Sequence, residues 1–99
     1  MNIVSSFFEG RVRFRGEIFK NPQIALATES LLQSINGVEC FKINNVTGSL
    51  LVEYDPIKLP FKKLKDCLPI LQHAKDSYER GTNPEEVANI IKNLEKNFL

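Results

Sequence analysis

Apolar residues fall along this chain with two periods, and the places where the period changes divide it into elements. Residues 10–16 read GRVRFRG: Val12 and Phe14 alternate with Arg11, Arg13 and Arg15, so a strand here sends the two apolar side chains to one face and the three arginines to the other. The preceding IVSSFF has strand propensity but imperfect alternation, which predicts a first strand over about 3–15 with a bulge near Phe7–Gly10. The stretch GEIFKN reads as a loop. In NPQIALATESLLQSING the period becomes helical, with Ile24, Ala27, Thr28, Leu31 and Ile35 on one face, Asn21 as N-cap, Pro22 in the first turn and Gly37 at the C-terminal end, which predicts a helix over 22–36. Period two returns at Phe41 and Ile43 and again at Leu50, Val52 and Tyr54. NNVTGS lies between, so strands are expected near 38–45 and 49–55, joined by a hairpin turn at Gly48.

The remainder is helical. Phe61, Leu64, Leu68 and Leu71 form a stripe over 60–78, with Pro69 predicting a kink or a break near Cys67–Pro69. Asn83 and Pro84 open a last helix over 84–98, where Glu86 suits a capping box. Its stripe of Val87, Ile90, Ile91, Leu94 and Phe98 suits packing on the domain's own core or, alternatively, a partner. The order strand–helix–strand–strand–helix–helix predicts an α+β fold built on a ferredoxin-like split βαβ unit, with an antiparallel sheet whose last strand is missing or replaced by the C-terminal helix. We expect a three-stranded sheet with helices on one face. Residues 1–80 would form the domain and residues 81–99 an amphipathic helix packed on it or on a partner. Without a fourth strand the first strand would be a sheet edge open to strand addition.

Charge and composition narrow the function. A net charge of +1 over 99 residues gives no global attraction to nucleic acid or membrane, so any charge-driven contact needs a local patch. No apolar run reaches the length of a membrane span. The opening MNIVSSFFEG carries no basic leader or cleavage-like site, and Cys40 and Cys67 form no CxxC, which together suit a cytoplasmic protein with reduced thiols.

Three segments carry a family resemblance: GRVRFRG, SINGVECFKIN and TGSLLVEYDP, within residues 10–56. They resemble the first strand, the helix end with second strand, and the third strand with its exit in the heavy-metal-associated superfamily, in its second variety, which lacks the thiol metal motif. The wider family carries copper or zinc on a CxxC in the loop after the first strand. Here that loop reads RGEIFKNP and has no Cys, His or Met, so no metal-binding residue carries over. The resemblance implies the fold and a role as a docking or regulatory module, alone or beside bacterial metal-transporting P-type ATPases.

The residues themselves point the same way. Cys67 and His73 share no helix face, and no acidic pair has ligand spacing, so no metal site and no cofactor are expected. Acylphosphatases share the strand order, and GRVRFR and INNVTG look faintly like their arginine and asparagine segments. Their glycine-rich phosphate loop is missing, so no enzyme is expected. Alternation sends Phe14, Phe41 and Tyr54 inward and leaves the open face to Arg11, Arg13, Arg15, Cys40, Lys42, Leu51 and Glu53. Such a face lacks the aromatic platforms that read nucleic acid. Read plainly, it is a solvated surface partly paired with Glu53. Read functionally, Arg11, Arg13, Arg15 and Lys42 bind a protein partner of a metal-transport or metal-storage system or, alternatively, a small anion such as haem propionates or phosphate. A homodimer would form through the first strand or the C-terminal helix.

Overall fold

A computed structural model of the chain describes residues 2–98. Two strands open it, β1 (Val4–Phe8) and β2 (Arg11–Arg15), followed by a short 3-10 helix at Glu17–Lys20 and α1 (Pro22–Ser34). The second hairpin is β3 (Val38–Asn44) and β4 (Ser49–Tyr54), and α2 (Phe61–Glu79), α3 (Pro84–Asn93) and a closing 3-10 helix at Leu94–Phe98 complete the chain. All sheet pairings are antiparallel, in the order β1-β2-β4-β3.

The fold is α+β and broadly ferredoxin-like, but the sheet has four strands, not three. The expected first strand is a hairpin. It turns at Glu9–Gly10, where Gly10 takes φ +85°, a region that glycine enters without steric cost. Among the described residues no strand follows α2; β1 lies beside β2, at the edge that a C-terminal strand occupies in the ferredoxin-like pattern. The C-terminal helix is therefore an addition to a completed sheet, not a substitute for a strand. The arginine strand β2 is consequently internal, and the edges open to strand addition are β1 and β3.

A bulge is present, but earlier than expected. It falls between Val4 and Ser6, where one extra residue interrupts the pairing with Phe14 and Arg13. Ser5 bonds there, its hydroxyl donating to the Arg13 carbonyl at 3.3 Å. The extra residue reverses the alternation. Val4 and Phe7 pair with Phe14 and Val12 on the core side, while Ser6 and Phe8 pair with Arg13 and Arg11 on the other.

The core lies between one face of the sheet and the helices. Val12, Phe14, Leu50, Val52 and Tyr54 are buried, and Phe41 and Ile43 pack against them half-buried, as the alternation requires. The segment expected to be a loop after β2 is a turn of 3-10 helix, because Ile18 and Phe19 need a place in that core and are fully enclosed there. Asn21 caps α1, its Oδ1 accepting from the Gln23 and Ile24 amides at 2.9 and 3.2 Å. α2 runs unbroken through Pro69, whose exposed ring lies on the solvent side, so the expected break is absent. Asn83 caps α3 by accepting from the Glu85 amide at 2.8 Å. Val87 and Ile91 of α3 and Leu94 of the closing 3-10 helix are buried in the chain's own core, with Ile90 and Phe98 partly buried against it.

Candidate functional site

The helices pack on one side of the sheet and leave the other bare. Strand register fixes what that bare face displays. Arg11, Arg13 and Arg15 of β2 lie across from Glu53, Leu51 and Ser49 of β4. Beyond them on β3 stand Cys40, Lys42 and Asn44. The sequence-predicted Arg11, Arg13, Arg15 and Lys42 thus come together on one surface, with the three arginines in a row on β2 and Lys42 two strands away, across Leu51.

The arginines are not neutralised from within. Arg11 is the cross-strand neighbour of Glu53, yet no salt bridge joins them among the described residues, whose ion pairs are Lys20–Glu17 and Lys75–Glu79. Glu53 instead accepts from the Cys40 thiol, Sγ to Oε1 at 3.5 Å. Partial desolvation, that bond and the charges of Glu53 and Glu39 push the Cys40 thiol above its ordinary 9.0, against the opposing pull of Arg11. Cys67 is buried among the helices on the other side of the sheet, so the two thiols cannot meet. Among the described residues no three His, Cys, Asp or Glu side chains gather into a cation site.

One member of this face escapes the sequence pattern. Phe8 is 72% exposed and pairs with Arg11, at the β1 end of the surface. Simple alternation along IVSSFF gives no hint of it, because the Ser5 bulge decides which way Phe8 points. The signal that was available is Glu9–Gly10, a turn dipeptide immediately after two phenylalanines. Shallow depressions lie on either side of the Arg13–Leu51 pair, one reaching Ser6, Phe8 and Arg11, the other Arg15, Lys42, Asn44, Thr47 and Ser49.

Comparison with known families bears on how this surface is read. The sequence profile described as heavy metal associated domain 2 matches residues 3–98. The chain belongs to that family. Its match takes in both the N-terminal hairpin and the C-terminal helix, well beyond the 10–56 segments that carry the resemblance in sequence. No curated protein and no solved structure matches the chain. As a heavy metal associated domain 2 chain it lacks a CxxC, and the loop where the wider superfamily places its thiols is the 3-10 helix filled by Ile18 and Phe19. Family membership supports a non-enzymatic domain that does not bind metal through thiols. No helix among the described residues is long and apolar enough to cross a membrane.

Proposed function

We propose that this heavy metal associated domain 2 chain is a docking domain that binds an acidic surface of a protein partner through the bare face of its sheet. The observation that carries this reading is the row Arg11, Arg13 and Arg15, without ion pairs among the described residues, set with Lys42 around Leu51 and flanked by the exposed ring of Phe8. Guanidinium forks suit partner carboxylates, and an aromatic with an aliphatic centre supplies the apolar part that protein interfaces concentrate. The partner belongs to a metal-transport or metal-storage system, such as the cytosolic part of a bacterial metal-transporting P-type ATPase, and the setting is the cytoplasm. A homodimer, if formed, uses the β1 edge.

The test is capture from native cytosol by the unmodified chain and by the Arg11→Glu/Arg13→Glu variant, with the partner identified by mass spectrometry. The side chains point into water, so the variant should melt within about 0.5 kcal/mol of the parent. Its affinity for the captured partner should fall by about 2–5 kcal/mol, and binding by the parent should weaken with salt. Equal capture by both proteins would leave the face as a solubility device only.

A second reading rests on the depression lined by Arg13, Arg15, Lys42, Asn44, Thr47 and Ser49, which brings three cations and several hydroxyl and amide groups together. That set suits a small anion such as a phosphate or the propionates of haem. A thermal-shift titration with pyrophosphate and a visible-absorption titration with haem decide it.

A further inference from the structure

On the opposite side of the sheet the core is not closed. α2 packs on α3 and the two 3-10 helices, and between it and the strands a gap remains. The space left is an apolar cavity of about 160 Å³, with Val4, Phe7 and Phe61 at one end and Val12, Phe14, Leu64 and Leu68 within. The last four also wall a void of about 50 Å³ deeper in the core, so the two spaces adjoin. Protein interiors hold few voids wider than a water molecule, and a void walled by hydrocarbon gives water nothing to bond. The one hydroxyl in the inner wall, on Thr28, is already committed to the Ile24 carbonyl at 2.8 Å.

The outer end is lightly sealed. Phe7 and Phe61 meet with ring centroids 4.5 Å apart, and each is about two-fifths exposed, at 41% and 42%. Neither ring holds a hydrogen bond that its rotation would break. Leu68 is also the wall between the cavity and a surface depression lined by Asn2, Lys65, Pro69 and Gln72. The Lys65 ammonium has no ion pair among the described residues. A hydrocarbon-lined space thus adjoins a free cation, with one leucine between them.

We propose that this cavity takes the chain of a free medium-chain fatty acid, with its carboxylate against Lys65. The walls admit only hydrocarbon, and the cation in the depression beyond Leu68 selects an anionic head over a neutral one. The size sets the length: an engineered cavity of about 150 Å³ in another protein accommodates benzene, so about six carbons are buried here and octanoate is the apt probe. The site lies across the sheet from the arginine row and does not depend on the docking role.

The experiment is a titration of the whole chain with octanoate and with octanol, both below their aggregation limits, followed by the methyl NMR signals of Val4, Val12, Leu64 and Leu68. Saturable shifts of those methyls with octanoate are expected. Lys65→Glu should weaken octanoate about tenfold and leave octanol unchanged. Leu68→Phe should fill the space and abolish binding of both, and Val4→Phe serves the same purpose if that variant does not fold. The absence of saturable shifts, shifts confined to the arginine face, or equal binding of octanoate by the parent and Lys65→Glu would each overturn the proposal.

Discussion

Gly16 donates its amide to the carbonyl of Gly48 at 2.8 Å, tying the end of the arginine strand to the turn between β3 and β4. The approach is so close that a Cβ on Gly48 would stand 2.6 Å from the Gly16 carbonyl oxygen, and Gly48 sits at φ +70°. Gly48→Ala therefore meets both an unfavourable backbone region and a backbone clash. The strain alone should cost about 1–3 kcal/mol, read as a lower urea midpoint with an unchanged slope. A midpoint equal to that of the parent would mean the two turns separate freely.

The Tyr54 hydroxyl offers a change of opposite sign. It is buried and has no hydrogen-bond partner among the described residues. A buried polar group left unsatisfied costs about 1–3 kcal/mol, and phenylalanine keeps the ring without that cost. Tyr54→Phe should raise the melting temperature by several degrees, since about 1 kcal/mol shifts a domain of this size by about 4–8 °C. A fall in melting temperature would show that the hydroxyl is bonded in solution.

Alkaline pH tests the buried thiol. Desolvation pushes Cys67 up from 9.0, an effect opposed by the amide of Asn97, which donates to its sulfur at 3.5 Å, and reinforced by the charge of Asp66. The folded chain then holds this proton more tightly than the unfolded chain does. The resulting stability is whole below about pH 9 and is lost as pH climbs through the raised folded value. Melting temperature should fall more steeply above about pH 9 in the parent than in Cys67→Ala, whose overall stability is lower for want of packing. Parallel curves would remove the thiol from the account.

Soft-metal titration tests the sulfur chemistry as a whole. Cys40 faces solvent on the bare face and Cys67 lies in the core, with the sheet between them. Among the described residues no three His, Cys, Asp or Glu side chains gather around either thiol, so the reduced chain should retain less than one equivalent of Cu(I) against a competing chelator. Retention of one equivalent, abolished by Cys40→Ser or Cys67→Ser, would show that the thiols do bind metal.

How much of this was legible in the sequence follows from how local each signal is. Asn21 with Pro22, and Asn83 with Pro84, announce their helices because a cap is decided within one turn. The alternation from Val12 to Phe14 and from Leu50 to Tyr54 places the arginines on the bare face, since any other register would bury charge. β1 was misplaced because its phase depends on one bulged residue, Ser5, whose position is set by the partner strand. Pro69 reads as a break from the chain alone. In the fold its ring lies on the exposed side of α2, while Cys67, Ala74 and Ser77 on the same helix are buried. The space between the hairpin and α2 is a tertiary outcome, and no local pattern encodes it.

The place of β1 in the sheet has a consequence for the order in which the molecule can be made. In the usual ferredoxin-like arrangement the sheet waits for its final strand, which must insert beside the first. Here every strand pairing lies between Val4 and Tyr54, so a nascent chain can close all four strands before α2 and α3 have left the ribosome. The later helices then dock onto a finished platform, and the slowest kind of contact, between distant strands, is confined to residues that precede α2.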